Sequence, residues 1–280
     1  MILTTMMKTA SELTKRICSA VVAAPVFLLA AWLGGWYFTG GLILVTIVIQ
    51  LEIISMLTRQ EMHTRTVMAV LLGIPVILMA VVPGMAWMLF LGVLLLILVT
   101  EIFRDHTEGW RHLLSTILVG VMVPALMSGL IILRQTGDDR TGFILTLTML
   151  LMVWTNDTLA FFGGKTMGKH KLAPKISPAK TIEGFLWGFF GSFLALGLCM
   201  YFISDYPLGL EAALPFALIV GLMGPAGDLA ESKLKRSSGI KDSSGLMPGH
   251  GGLYDRLDAI LFSAPAAAVY FYALQYFSIL

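Results

Sequence analysis

The residues best equipped for chemistry lie in one stretch, Glu231 to Asp258. Lys233, Lys235, Arg236 and Lys241 supply positive charge, while Gly239, Gly245, Gly249, Gly251 and Gly252 leave backbone N–H groups open to approach. Cations and exposed N–H groups suit phosphate oxygens. The stretch closes on Asp255 and Asp258, spaced i, i+3. Clustered aspartates facing phosphate suit magnesium, which takes a few carboxylates and leaves the rest of its sphere to substrate oxygens. The combination reads as a metal–nucleotide site. A solvated basic loop lying against anionic headgroups is the plainer alternative. It accounts for the lysines, but not for the glycines, His250 or the aspartates at 242, 255 and 258.

Asp228 follows Gly224-Pro225-Ala226-Gly227 near the end of an apolar run, where a carboxylate is costly unless paired or metal-bound. A helix broken at the Gly-Pro step would bring it to the same cavity as Asp255; an ion pair with Lys233 or Arg256 is the structural alternative. A second region runs from Trp154 to Gly184. Asn156 and Asp157 fall inside an apolar run, where polar groups point to function. Gly163, Gly164 and Gly168 with Lys165 and Lys169 resemble a phosphate cradle, though without P-loop spacing. Glu183 opens the next apolar run and equally suits a helix start.

The elements that must hold these residues are set by composition. Of 280 residues, 57% are hydrophobic and 13% charged. Soluble domains carry about 25% charge, so most of this surface must face lipid. Apolar runs near the 20-residue span length fall at 17–34, 36–57, 67–83, 85–102, 114–133, 142–162, 184–204, 213–230 and 259–279. Their breaks carry glycine, proline or charge, as at Gly34-Gly35, Pro83-Gly84 and Gly137-Asp138-Asp139. The predicted fold is an all-α bundle of about nine transmembrane helices, in which the third and fourth are short enough for a re-entrant pair. Residues 1–141 form an N-terminal membrane region, and 142–280 a C-terminal one carrying the site in the loops 163–183 and 231–258.

With the N-terminus cytoplasmic, every lysine and arginine except Arg134 and Arg140 falls on the inner side, as the positive-inside rule asks. Lys8, Lys15 and Arg16 precede the first run, which reads as a span rather than a cleaved leader. Cys18 and Cys199 lie in apolar stretches and read as small hydrophobes. The small net charge, +2, does not suggest nucleic-acid binding.

The segment Ser232 to Asp258 resembles the signature of the phosphatidate cytidylyltransferases, or CDP-diacylglycerol synthases. Ser-x-Leu-Lys-Arg, then Lys-Asp, then His-Gly-Gly-x-x-Asp-Arg-x-Asp fall at that family's spacing. The Asn156 to Gly184 block, with Ser-Pro-x-Lys-Thr-x-Glu-Gly, is similar to its second shared region, and Glu52 fits more weakly. Two departures are Met247, where Leu, Ile or Phe is usual, and Ala179, where lysine is usual.

The resemblance implies a membrane enzyme that joins CTP to phosphatidic acid, releasing pyrophosphate; the topology fits a bacterial inner membrane with the site facing the cytoplasm. It implies Asp228 and Asp255 as ligands of magnesium or manganese, a monovalent cation as a further option, and a homodimer. Asp258, Lys241 and His250 join the catalytic set, and His250 is expected to position the glycine-rich turn or a phosphate oxygen. Asn156, Asp157, Lys165, Lys180, Ser232, Lys233, Lys235, Arg236 and Arg256 are expected to contact substrate. A CTP-dependent polyprenol kinase, a cytidylyltransferase acting on another lipid phosphate, and a transporter using Glu52, Asp157 and Asp228 are the competing readings.

Overall fold

Lipid offers backbone groups no water to bond, so apolar runs of this length close their hydrogen bonds within helices. The computed structural model describes residues 23–104, 109–246 and 251–277 and follows that rule. The cationic N-terminus, Cys18, Met247 and His250 lie outside the described residues. Nine helices lie among the described residues: α1 Ala23–Leu33, α2 Gly35–Thr58, α3 Thr66–Leu78, α4 Pro83–Ile102, α5 Gly109–Arg134, α6 Asp139–Met167, α7 Ile182–Phe202, α8 Leu210–Ser237 and α9 Tyr254–Tyr276. Seven of them, α2 and α4 to α9, are long and apolar enough to cross a membrane. The protein is a multi-pass membrane protein.

The third apolar run differs from expectation. Helix α3 has 13 residues, about 20 Å at 1.5 Å per residue, short of the roughly 30 Å hydrocarbon core. Residues 79–82 continue as turns, with Met79 N bonded to Pro75 O at 3.0 Å and Val82 N to Leu78 O at 2.9 Å. Pro83 ends that segment, because a residue before proline is pushed out of helical geometry, and then opens α4 at a position where its missing N–H costs nothing.

The core gathers Phe38, Phe216 and Phe271 among the largest fully buried side chains, and Phe216 meets Phe271 edge-on at 4.9 Å. Gln50 of α2 donates to Ala69 O of α3 and Val119 O of α5, both at 3.2 Å, tying three helices together. Polar contacts also mark two ends of the bundle. At one, Arg134 Nε donates to Ala31 O at 2.7 Å and Arg140 reaches Ser204 O at 2.8 Å. At the other, Gln60 donates to Ser238 Oγ at 2.7 Å, and Arg65 bonds Thr100 Oγ1 at 2.9 Å. Asp138 caps α6 by accepting from Thr141 N at 2.8 Å, and the Thr141 side chain together with that N–H holds its carboxyl below the usual aspartate value.

Both long loops are shorter than the apolar runs imply, because the helices run past the end of their apolar stretch. Helix α6 continues to Met167 and stops where Gly168 turns extended. The rest folds as an antiparallel hairpin of β1, Lys171–Ala173, and β2, Ser177–Thr181, with Lys171 opposite Thr181. Helix α8 runs to Ser237, so only residues 238–253 connect it to α9. Nor is α8 broken at Gly224-Pro225: it stays one helix with Pro225 inside. Proline lacks the N–H that would bond the carbonyl four residues back, and Asn156 Nδ2 of α6 approaches that carbonyl, Gly221 O, at 3.4 Å.

Helix α7 meets α6 through small residues. A Cβ on Gly188 would lie 2.7 Å from Asn156 Oδ1 and 2.8 Å from Asn156 O. This close approach is the membrane-helix packing that small side chains allow. Gly163 and Gly164 belong to the same contact, one against the Trp187 ring and the other against Thr181 and Gly184. That contact accounts for Gly163, while Gly164 also lines a cavity together with Lys165.

Candidate active site

Helices α8 and α9 each carry two acids at i, i+3: Asp228 with Glu231, and Asp255 with Asp258. Spacing of three puts each pair on one helix face. Gly227 lets the faces close, since a Cβ there would strike the Asp258 carbonyl. Oxygens of Asp228, Glu231 and Asp258 then fall within 4.8 Å of one another.

Asp255 takes no part in that trio. Its Oδ1 accepts from Lys235 Nζ at 2.8 Å, and its Oδ2 from Gly252 N at 2.7 Å and Ser243 N at 3.0 Å. The sequence paired Asp228 with Asp255 as metal carboxylates; the structure brings Asp228 together with Glu231 and Asp258. Glu231 was given no role by sequence, although its i, i+3 relation to Asp228 was the available signal.

Lys235 also departs from expectation. It is only 9% exposed and lies 2.8 Å from both Glu231 Oε2 and Asp255 Oδ1. It offsets the charge of two buried acids. Asp228 pairs with Lys180 of β2, neither with Lys233 nor with Arg256. Ser232 Oγ is 3.4 Å from Asp228 Oδ1. Lys233, Lys241, Arg236 and Arg256 are exposed, and Arg236 caps the end of α8 through Ile240 O at 3.0 Å.

Beside the acids opens a cavity of about 470 Å³. Asn156, Asp157, Lys165, Lys180 and Asp228 line it together with Phe161, Leu172 and Phe185. Five residues expected from sequence to bind substrate or metal therefore line one cavity. Ala179, the departure from the lysine usual in the family, lines it too. Asn156 is buried and donates to Ser192 Oγ at 3.0 Å, while its Oδ1 has no hydrogen-bond partner among the described residues. Glu183 does the bracing work that a helix start allows. It accepts from Lys169 N at 3.0 Å and His170 Nδ1 lies 2.6 Å from it, which turns the chain from α6 into the hairpin.

The trio fits a hard divalent cation. All its donors are carboxylate oxygens, which suit magnesium or manganese over softer metals. Glu231 Oε1 is buried with no hydrogen-bond partner among the described residues, a costly state that a cation would relieve.

The family model described as Cytidylyltransferase family matches residues 14–274. A phosphatidate cytidylyltransferase of Staphylococcus aureus (strain COL) is 44% identical over 137 residues, which is 49% of this chain and 52% of that protein. The Staphylococcus haemolyticus protein of the same name is 43% identical over the same length. The uncharacterized protein YnbB of Escherichia coli (strain K12) is 35% identical over 185 residues, 65% of this chain and 60% of that one. The matched stretch thus spans about half the length of the phosphatidate cytidylyltransferases it resembles.

Proposed function

We propose, for a chain that belongs to the cytidylyltransferase family, that it transfers the cytidylyl group of CTP to phosphatidic acid, forming CDP-diacylglycerol and pyrophosphate. The observation that carries this reading is the carboxylate trio of Asp228, Glu231 and Asp258 beside a cavity that also holds Lys165 and Lys180. A phosphomonoester has a second pKa of about 6, so at neutral pH the lipid phosphate is already largely dianionic. Its oxygen attacks the α-phosphorus of CTP. The bond from that phosphorus to the α–β bridging oxygen breaks, and pyrophosphate leaves with the electron pair. No proton has to be removed, so no general base is needed.

The difficulty is charge. Asp228, Glu231 and Asp258 would hold a divalent cation, magnesium or manganese. Such an ion, when bound, offsets negative charge on the triphosphate and the leaving pyrophosphate. Lys180, seated on Asp228, and Lys165 lining the same cavity add fixed positive charge where phosphoryl oxygens gather. Phe161, Leu172 and Phe185 give the cavity an apolar side that keeps water from competing with the lipid phosphate. Exposed Lys233, Arg236, Lys241 and Arg256 attract polyanions to the site.

The site faces the cytoplasm in this reading, since CTP is there and the lysines and arginines collect on that side. The membrane is a bacterial inner membrane, and the enzyme works as a homodimer. The test is purified protein with phosphatidic acid and CTP labelled at the α-phosphate, with and without magnesium. Label in the lipid together with released pyrophosphate is the expected result. Lipid labelled only from γ-labelled CTP would mean a kinase, and no labelled lipid from either would end the proposal.

A further inference from the structure

Helix α9 begins at Tyr254, and its N-cap residue is Leu253, whose side chain cannot accept a hydrogen bond. The N–H groups entering the helix need an acceptor from elsewhere. It comes from α2. Glu52 Oε1 accepts from Leu253 N at 2.9 Å and from Ser244 Oγ at 2.6 Å. Its Oε2 accepts from Tyr254 N at 2.8 Å and from Ser243 Oγ at 3.1 Å. Glu52 is 5% exposed, and both oxygens are used on one short segment.

From there the polar contacts continue to the acid trio without a gap. Ser243 Oγ, 3.1 Å from Glu52, is also 3.1 Å from Asp255 Oδ2. Asp255 holds Lys235, and Lys235 holds Glu231. Asp258 stands one turn beyond Asp255 on α9, so its position against Asp228 and Glu231 follows from where α9 starts. We propose that Glu52 is a positioning residue whose carboxylate, clamped on Ser243, Ser244, Leu253 and Tyr254, fixes the start of α9 and thereby the cation-holding geometry of Asp228, Glu231 and Asp258. This rests on the reading of those three acids as the cation site, but not on which lipid or nucleotide reacts there.

A glutamine at this position keeps the size of the side chain. It replaces one acceptor oxygen by an NH₂ that meets a backbone N–H head-on. The experiment titrates Mn²⁺ into purified protein, without CTP or lipid, for wild type, Glu52→Gln, Glu52→Asp and Ser244→Ala. Thermal unfolding and the kcat and KM for CTP are measured on the same samples.

Loss of a residue that orients metal ligands costs roughly 10- to 100-fold in metal affinity or activity. Glu52→Gln is expected to lose that much in both Mn²⁺ affinity and kcat while the unfolding midpoint moves little. Glu52→Asp should recover part of the loss, and Ser244→Ala should show a smaller loss of the same kind. Wild-type Mn²⁺ affinity in Glu52→Gln overturns the proposal. So does a loss in both Glu52 variants that only follows a collapse of the unfolding midpoint. Should Glu52→Gln fail to fold, Ser244→Ala decides, and unchanged Mn²⁺ affinity there also overturns it. A wild-type protein that binds Mn²⁺ in a Glu52-dependent way yet makes no liponucleotide would sink the reaction and leave the positioning role standing. One that binds no Mn²⁺ would end the positioning role itself.

Discussion

Asp228 and Asp255 are the same side chain placed in different company. Asp228 is half-exposed at the cavity with Lys180 as its partner, whereas Asp255 is buried under Lys235, Ser243 and Gly252. Their asparagine variants should therefore fail differently. Asp228→Asn and Asp258→Asn remove charge from the trio, and a metal site that loses several kcal/mol of charge stabilisation slows by about a thousandfold. Both should insert and unfold like wild type while kcat falls by that order. Asp255→Asn leaves Lys235 with one buried partner in place of two, and breaking a buried pair costs about 3–5 kcal/mol. Thermal unfolding in detergent should show that loss before any kinetic assay is run. Asp228 was legible because a carboxylate near lipid demands a reason, and Asp258 through its i, i+3 spacing from Asp255. The approach of Glu231 to those two was not, since four acids at two identical spacings do not say which three will meet.

At the scale of elements, the apolar runs located the helices; the breaks at Gly34 and Gly137 fell between them, and Pro83 opens α4. Helix ends were less legible. Polar residues at the end of α6 and α8 stay helical because the next hydrogen bond is still available, and hydropathy does not register that. The hairpin was hidden for the same reason: three and five residues of strand carry no pattern. Close helix contact gives a direct test. Gly188→Val places side-chain atoms where Asn156 already lies and should destabilise by about 1–3 kcal/mol, as overpacked sites do. Gly197, on the same helix, has nothing within 4 Å of an added Cβ. Gly197→Ala should be neutral or stabilising by up to about 1 kcal/mol. Thr181 caps α7 by accepting from Gly184 N at 3.1 Å, so Thr181→Ala should cost about 1 kcal/mol. Unfolding midpoints of the three variants, compared in one detergent, check all of these values.

For the whole molecule, the decisive arrangement is the gathering of the basic connections and the acid trio at one end. An impermeant maleimide should label Lys241→Cys in inside-out bacterial vesicles, and Ser204→Cys only after the vesicles are opened. Labelling of both from the same side would remove the orientation. Composition made the membrane class legible, because so few charges cannot coat a water-facing surface. It left unseen that α2, in the N-terminal region, supplies the clamp on the C-terminal loop. Glu52 and Ser243 are 191 residues apart in the chain. At synthesis rates of about 5–20 residues per second, the carboxylate waits on the order of 10–40 s for its donors to be made. During translation the ribosome thus delivers a finished anion to the bilayer long before its cap exists. A chain truncated anywhere before Ser243 leaves Glu52 buried without any of its four donors.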